Sequence, residues 1–499
     1  NQHISEQFNK TSEFNTDILL GGLLLKPTEG LTITPSIGAN LTKARSENTT
    51  ENGLNYAVPY VYTILNARNQ SITYSKPRSD VQSVYGTLDL EYKNFLYLSA
   101  SARNDWFSAL WPSKKVDIFY PSVSGSFVFS ELFSRDWLSF GKLRAGWANV
   151  GGGLGPYQTL LSYGLLNGQL NGLPLGTITN GSIPNNDLKP SNARELEIGT
   201  ELRFFENRLS FDVSWYNKRS SNEILSAPAS TTSGYSGVVL NVGELENIGV
   251  EALVTGTPVK GVFTWSTSVN GSINNNKVLA LSAGQGSLGV AISRTGTGFT
   301  QQIVGKPANQ VMAFDYKYDA NGAIMNAATG VPSQGLLTPW GSAYHKWTGG
   351  WNNDFSYKGV TLSFLIDGKF GGKVFSATDA IGFGNGLHKG TLDREKAFGT
   401  INAQTYYSTL ATNVSKMFVY DASFIKFRQF MLGYSVPSSL LGTRVQGATI
   451  SVVGRNLFTL MKKTDNIDPE ASYGGISQGL ELGGVPPVRT FALNLGVKI

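Results

Sequence analysis

Residues 31–43 read Leu-Thr-Ile-Thr-Pro-Ser-Ile-Gly-Ala-Asn-Leu-Thr-Lys, with Leu31, Ile33, Ile37, Ala39 and Leu41 alternating with Thr32, Thr34, Ser36, Gly38 and Asn40. A period of two sends the apolar set to one face and the polar set to the other, which predicts a half-buried strand. The apolar stretch 18–25 precedes it across Lys26-Pro27-Thr28-Glu29-Gly30, where Pro and Gly supply the backbone angles of a tight reversal. The same grammar predicts hairpins at 84–92 with 96–104, 195–204 with 209–218, 249–257 with 262–273, and 347–357 with 360–370. Further strands are expected at 119–129, 140–150, 421–435, 447–455 and 488–499. With 56–65 they bring the total to about sixteen.

What joins the strands separates the candidate architectures. Tight turns alternate with long polar connections at 105–118, 151–194, 219–248, 274–346, 371–420 and 456–487. Short turns at one end and long loops at the other is the asymmetry of an outer-membrane barrel. Strands of a soluble sandwich run to about 5 or 6 residues, shorter than the segments here, so the expected fold class is all-β, a transmembrane antiparallel β-barrel. Aromatic residues near the strand ends (Tyr92, Tyr97, Trp137, Phe204, Phe205, Tyr216, Tyr357) suit girdles at two bilayer interfaces, with cross-strand packing in a soluble sheet as the plainer alternative. Hairpin spacing varies and no motif recurs, which disfavours a propeller.

Composition removes most other classes. The 499 residues include 57 Gly, 27 Phe, 21 Tyr and 9 Trp but no Cys, and only 15% are charged. Without cysteine there is no disulfide, thiolate nucleophile or Cys-ligated metal, and three histidines (His3, His345, His388) make a His-rich centre a poor expectation. A net charge of +6, dispersed over so long a chain, gives no nucleic-acid footprint. The longest run free of polar residues, 18–25, is far below the roughly 20 residues of a membrane-crossing helix, but strands cross with about 9 to 11. The opening Asn-Gln-His-Ile-Ser-Glu lacks Met, a basic segment and an apolar segment, so the chain is read as starting inside a longer protein.

Chemical motifs are weak. Gly475-Ile476-Ser477-Gln478-Gly479 satisfies the nucleophile-elbow pattern, but its flanks have neither the strand nor the helix that would expose the serine. Gly284-Gln285-Gly286-Ser287-Leu288-Gly289 matches a dinucleotide fingerprint without the helix that would meet a pyrophosphate. Asp315 to Gly322 starts like a calcium loop, yet Lys317 takes a ligand position and no closing glutamate follows, leaving an Asp319-Ala320-Asn321-Gly322 turn. No paired carboxylates present a general acid and base. No cofactor and no enzyme activity are expected. Trp340-Gly341-Ser342-Ala343-Tyr344-His345-Lys346-Trp347 gathers rings at a loop-to-strand junction, either for stacking on sugars or peptide side chains or as part of an interfacial girdle.

Several segments, taken together, carry a resemblance. They are Asp468-Pro469-Glu470, Gly483 to Leu495, Asn186-Asp187-Leu188-Lys189-Pro190, Phe204 to Ser210, Val242-Gly243-Glu244 with Asn247 to Glu251, and Lys142 to Gly146. In this order the chain resembles the barrel of SusC-like TonB-dependent outer-membrane transporters of Bacteroidota. The resemblance implies a 22-stranded barrel filled by an N-terminal plug, a segment that contacts TonB, and a SusD-like surface lipoprotein closing the top. Residues 1–499 are then expected to be the C-terminal part of such a barrel, with the plug and first strands outside this chain. Ile499 stands where such barrels usually end in an aromatic residue, although the alternation from Phe491 to Ile499 is intact.

The functional expectation is TonB-dependent import of oligosaccharides or oligopeptides across the outer membrane of a Gram-negative bacterium. Expected partners are a SusD-like lipoprotein, TonB, outer-membrane lipid and the cargo, in a dimer of transporter–lipoprotein pairs. The alternative is a soluble or surface β-rich carbohydrate-binding module. Leu31, Ile33, Ile37 and Leu41 are expected to face lipid. Trp340, Tyr344 and His345, with Tyr157 and Tyr473 from other long loops, are the expected cargo-binding residues.

Overall fold

Long antiparallel ladders dominate the computed structural model, which describes residues 3–113, 115–133, 135–178, 181–281, 284–393, 401–442 and 445–499. Two compact units emerge, one comprising Asn1–Ser126, Gly146–Leu196 and Arg219–Glu244, the other Phe127–Ala145, Glu197–Lys218 and Leu245–Ile499.

In the first unit, His3–Leu20 pairs with Leu31–Tyr56 from His3↔Leu54 to Leu20↔Ile37. The other edge of Leu31–Tyr56 pairs with Arg78–Tyr92, and at its far end with Ala67–Ser75. Arg78–Tyr92 then pairs with Leu96–Phe107. The register places Ile33 opposite Leu90 and Leu90 opposite Leu98, while Thr34 meets Asp89 and Asp89 meets Ser99. One face is therefore apolar and the other polar, as the alternation predicts. Gly30, at φ +80°, makes the reversal before Leu31 that a side chain would strain.

Leu31–Tyr56 is 26 residues long, double the expected 31–43. Past Lys43 both faces carry Thr, Asn, Ser and Glu, so periodicity vanishes while ladder bonds continue. Residues 56–65 are not a strand: Leu31–Tyr56 ends there, a short 3-10 turn Ile64–Asn66 follows, and the next strand is Ala67–Ser75.

In the second unit, neighbouring strands run Phe263–Ala280, Trp347–Tyr357, Val360–Phe370, Phe424–Val436, Gly447–Lys462 and Thr490–Lys498. Their apolar face carries a row of rings: Trp265 on Phe355 (6.0 Å), Phe355 on Phe364 (6.1 Å), Phe364 on Phe427 (6.0 Å) and Phe427 on Phe458 (5.1 Å). Two polar groups interrupt that face, each bonded to an indole: Trp265 Nε1 donates to Asn353 Oδ1 and Trp351 Nε1 to Thr267 Oγ1, both at 3.0 Å. Next to Trp351 runs a line of glycines, Gly271↔Gly349↔Gly368, between the row Val269–Trp351–Ile366 and the row Ile273–Trp347–Phe370.

The long connections of this unit fold on their own terms. Ser287–Ile292, Gly298–Ile303, Gln310–Tyr316 and Gln334–Ser342 form a four-stranded sheet, and Lys373–Ser376, Val419–Asp421 and Leu480–Glu481 a three-stranded one. Helices α1 (Ala377–Gly384) and α2 (Ala403–Asn413) pack with them around Phe375, Phe383, Leu410, Val414, Phe418 and Leu480. Side-chain caps hold both helix starts, Ser376 accepting from the Asp379 N–H and Asn402 from the Thr405 N–H. The expected strand 421–435 divides accordingly, into Val419–Asp421 in this layer and Phe424–Val436 in the long ladder.

Candidate functional site

On the polar face of the second unit a cavity of about 700 Å³ is lined by Arg144, Glu197, Asp212, Glu251, Asp367 and Lys369, with Ser, Thr, Asn and Gly between them. Every charged member comes from a long strand that turns its apolar alternates the other way. Arg144 is held by Asp212 at 2.7 Å and by Glu197 at 3.6 Å. Glu251 has no hydrogen-bond or ion-pair partner among the described residues and is exposed in the cavity.

Above this face, an ionic network ties the strands to the connection that follows Gly447–Lys462. Arg428 is the extra residue of a bulge, since Phe427 faces Ile366 and Gln429 faces Leu365. Alternation puts Arg428 on the same side as Lys426, and the bulge brings Gln429 to that side as well. Lys426 is 4% exposed and reaches both Asp468 oxygens (2.8 and 2.9 Å) and Glu470 (2.7 Å). Arg428 bridges Asp367 (2.8 Å) and Glu470 (3.0 Å). Burial alone would raise the Glu470 carboxyl, but hydrogen bonds from Arg428 and Lys426 and their charges hold it below its usual range. Asp468 and Glu470 were legible only as parts of a resemblance; their partners Lys426 and Arg428 had no sequence signal.

The expected cargo-binding residues lie in differing surroundings. Trp340 sits inside the strand Gln334–Ser342, and its Nε1 donates to the Ala313 carbonyl at 3.2 Å. The Lys416 ammonium lies over its ring at 5.2 Å and over Tyr316 at 4.8 Å and Tyr318 at 5.9 Å, and also pairs with Asp315. Three rings and a carboxylate thus enclose one cation, a cluster that no spacing in the sequence announces. Tyr344 is half-buried, and burial raises its phenol above the ordinary value.

His345 turns its ring inward, its Nε2 donating to the Ala422 carbonyl at 3.2 Å and its edge meeting Phe424 at 6.2 Å. Burial pushes its pKa down. Gly372 makes room for it, because a Cβ there would stand 2.9 Å from Nε2. Tyr473, 38% exposed, donates its hydroxyl to the Leu482 carbonyl at 3.3 Å. Tyr157 belongs to the other unit, 47% exposed at φ +66°. Trp340, Tyr344 and His345 therefore share one chain segment whose rings are partly committed to the fold, whereas Tyr473 and Tyr157 present more surface.

The weak motifs resolve as turns. Gly475–Ser477 is a single 3-10 turn with no strand delivering Ser477, and Gly284 leads into the strand Ser287–Ile292 instead of a helix. Asp319 Oδ1 accepts from the Asn321 and Ala323 N–H groups, closing its own loop. Among the described residues no group of three or more His, Asp or Glu is placed to hold a metal ion, and no helix is long and apolar enough to cross a membrane.

A family profile described as TonB dependent receptor-like, beta-barrel, matches residues 4–415. The chain belongs to that family. Its fold is the family's β-barrel; members are outer-membrane proteins of Gram-negative bacteria and act in transport rather than as enzymes. It is 26% identical to TonB-dependent receptor P3 of Formosa agariphila, over 84% of this chain and 46% of that protein. Against TonB-dependent receptor SusC of Bacteroides thetaiotaomicron the identity is 25%, over 84% and 44%. The chain thus spans a little under half the length of these curated relatives. The solved RagAB peptide transporter shares the fold, with a TM-score of 0.79 at 19% identity over 99% of this chain and 55% of that one.

Proposed function

We propose that this protein spans the outer membrane and, driven by TonB and paired with a SusD-like surface lipoprotein, imports oligopeptides or oligosaccharides. The observation that carries the reading is the two-faced ladder: the strands that gather Arg144, Glu197, Asp212 and Asp367 around a polar cavity on one face expose Leu143, Ile198, Trp215 and Phe370 on the other. Closed sheets satisfy backbone groups in hydrocarbon, and a polar inner face leaves a hydrophilic path. Likeness to a peptide transporter and to SusC supports oligomeric cargo, with peptide favoured by the structural neighbours.

In this reading the folded connections face outward, where the lipoprotein meets them. Trp340, Tyr344, His345, Tyr473 and Tyr157 contribute to the cargo surface, with Tyr473 and Tyr157 offering the most accessible rings. The test is fractionation followed by growth. The protein is expected in detergent-extracted outer membranes together with a lipoprotein, and its deletion is expected to abolish growth on at least one oligomeric nutrient. A Trp340→Ala, Tyr344→Ala double variant should assemble normally and bind cargo more weakly. Recovery as a compact, detergent-free monomer, or unchanged growth on every oligomeric nutrient, would refute the reading.

A further inference from the structure

A second cavity, of about 420 Å³, lies wholly in the first unit, at the ends of strands where the long connections attach. Its walls include Lys115 and Asp117 at the start of Asp117–Phe127, Trp147 and Asn149 near the end of Leu138–Gly152, and Lys189, Asn192 and Arg194 at the entry to Ser191–Phe204. Three cations face one carboxylate. Among the described residues neither the Lys115 nor the Lys189 ammonium, nor the Arg194 guanidinium, has a hydrogen-bond or ion-pair partner. Arranging unneutralised cations around a concavity costs self-repulsion, and an anion relieves it.

Alternation tells which side of the sheet this is. Lys142 pairs with Glu201 on the polar side of its strand, so Trp147 and Asn149, an odd number of residues away, point to the apolar side. On Ser191–Phe204 the polar side carries Glu197 and Glu201, which sends Asn192, Arg194 and Leu196 to the apolar one. Below the cations that side continues as Phe119 (53% exposed), Val123 (50%), Trp147 (38%) and Leu196 (39%). A cationic notch capping an exposed apolar band, with an indole at the boundary, is the layout of a surface that meets lipid headgroups above and acyl chains below.

The notch is built into the fold. Asn241 accepts from the Lys189 N–H (2.8 Å) and donates from Nδ2 to the carbonyls of Lys189 (2.7 Å) and Asn222 (2.8 Å). Leu188 and Pro190 on either side are buried, so the lysine stem rises from a fixed backbone. Two wall amides are also left wanting: the Oδ1 atoms of Asn149 and Asn192 are buried without a hydrogen-bond partner. Unpaired buried acceptors call for donors, which a phosphate group itself lacks and which the hydroxyls and amides of a phosphorylated sugar supply more densely than a glycerol headgroup.

We infer that this notch binds the headgroup of a phosphorylated glycolipid in the outer leaflet. Phosphate is taken by Lys115, Lys189 and Arg194, hydroxyl or amide donors by Asn149 and Asn192, and the acyl chains lie along Phe119, Val123 and Leu196. The inference rests on the membrane placement proposed above, and fractionation reads that placement separately. The experiment uses the full protein purified from outer membranes and placed in phosphatidylglycerol nanodiscs, with lipid A titrated in and bound lipid counted by native mass spectrometry.

Lipid A is expected to be retained over phosphatidylglycerol. A Lys115→Ala, Lys189→Ala, Arg194→Ala variant should weaken retention on the order of a hundredfold, three near-surface cations each contributing a factor of a few. A second variant, Asn149→Leu with Asn192→Leu, should keep anionic-lipid binding but lose the preference for the glycolipid. Unchanged retention in the triple variant, or displacement of lipid A by millimolar inorganic phosphate as readily as by lipid, would overturn the assignment.

Discussion

Single side chains set the acid limit of the folded connections. His345 is half-buried with its pKa depressed by that burial, so the unfolded chain binds the extra proton first. Its contribution is complete above the ordinary value of 6.5 and is lost as pH falls toward the folded one. Glu470, held below 4.5 by Arg428 and Lys426, and Asp421, held below 3.8 against its burial by bonds from Ser423 and the charges of Lys373 and Lys463, follow the same sign at lower pH. Acidification is therefore expected to loosen this region in two steps, first below about pH 6.5 and again below about pH 4.5. Hydrogen exchange of residues 371–376 and 419–424, measured from about pH 8 down to about pH 2.5, checks this; a single step at low pH would remove His345 from the account.

Elements differ in how much of them could be read beforehand. The hairpins were legible wherever one face is apolar and the other polar, as at Leu31 to Lys43 and Val360–Phe370. That signal fails where both faces meet water, which is why the outer half of Leu31–Tyr56 and the strand Ala67–Ser75 passed unseen. It fails differently for α1 and α2, of 8 and 11 residues, which sit in polar connections and owe their stability to caps and to a core assembled from distant segments. Lys416 is another case. Its partners Asp315, Tyr316, Tyr318 and Trp340 come from segments roughly 75 to 100 residues earlier, so only the folded chain brings the cage together. A Lys416→Met variant, which keeps the stem and removes the charge, is expected to cost about 1–3 kcal/mol and to speed exchange in Gln310–Tyr316 and Gln334–Ser342. Unaltered protection of those strands would show the cage to be energetically idle.

At the scale of the whole molecule, the two-faced ladders leave the charged groups in polar cavities or beyond the apolar surface. The line Gly271, Gly349, Gly368 is an exception of another kind, because three adjacent strands carry no side chain at the same level. Sheets owe much of their stiffness to cross-strand side-chain pairs, and here three successive positions have none. Such a line is a crease: bulky rows on both sides move as plates, and the wall flexes between them at small cost. A Cβ at Gly271 would meet nothing nearer than 3.8 Å, so Gly271→Ala can enter without a clash. It should slow exchange in Trp347–Tyr357 and raise stability by about 0.5–1 kcal/mol. A mechanical compliance of this sort gives the wall a preferred direction of bending, set by the order of residues along three strands and requiring no hinge loop.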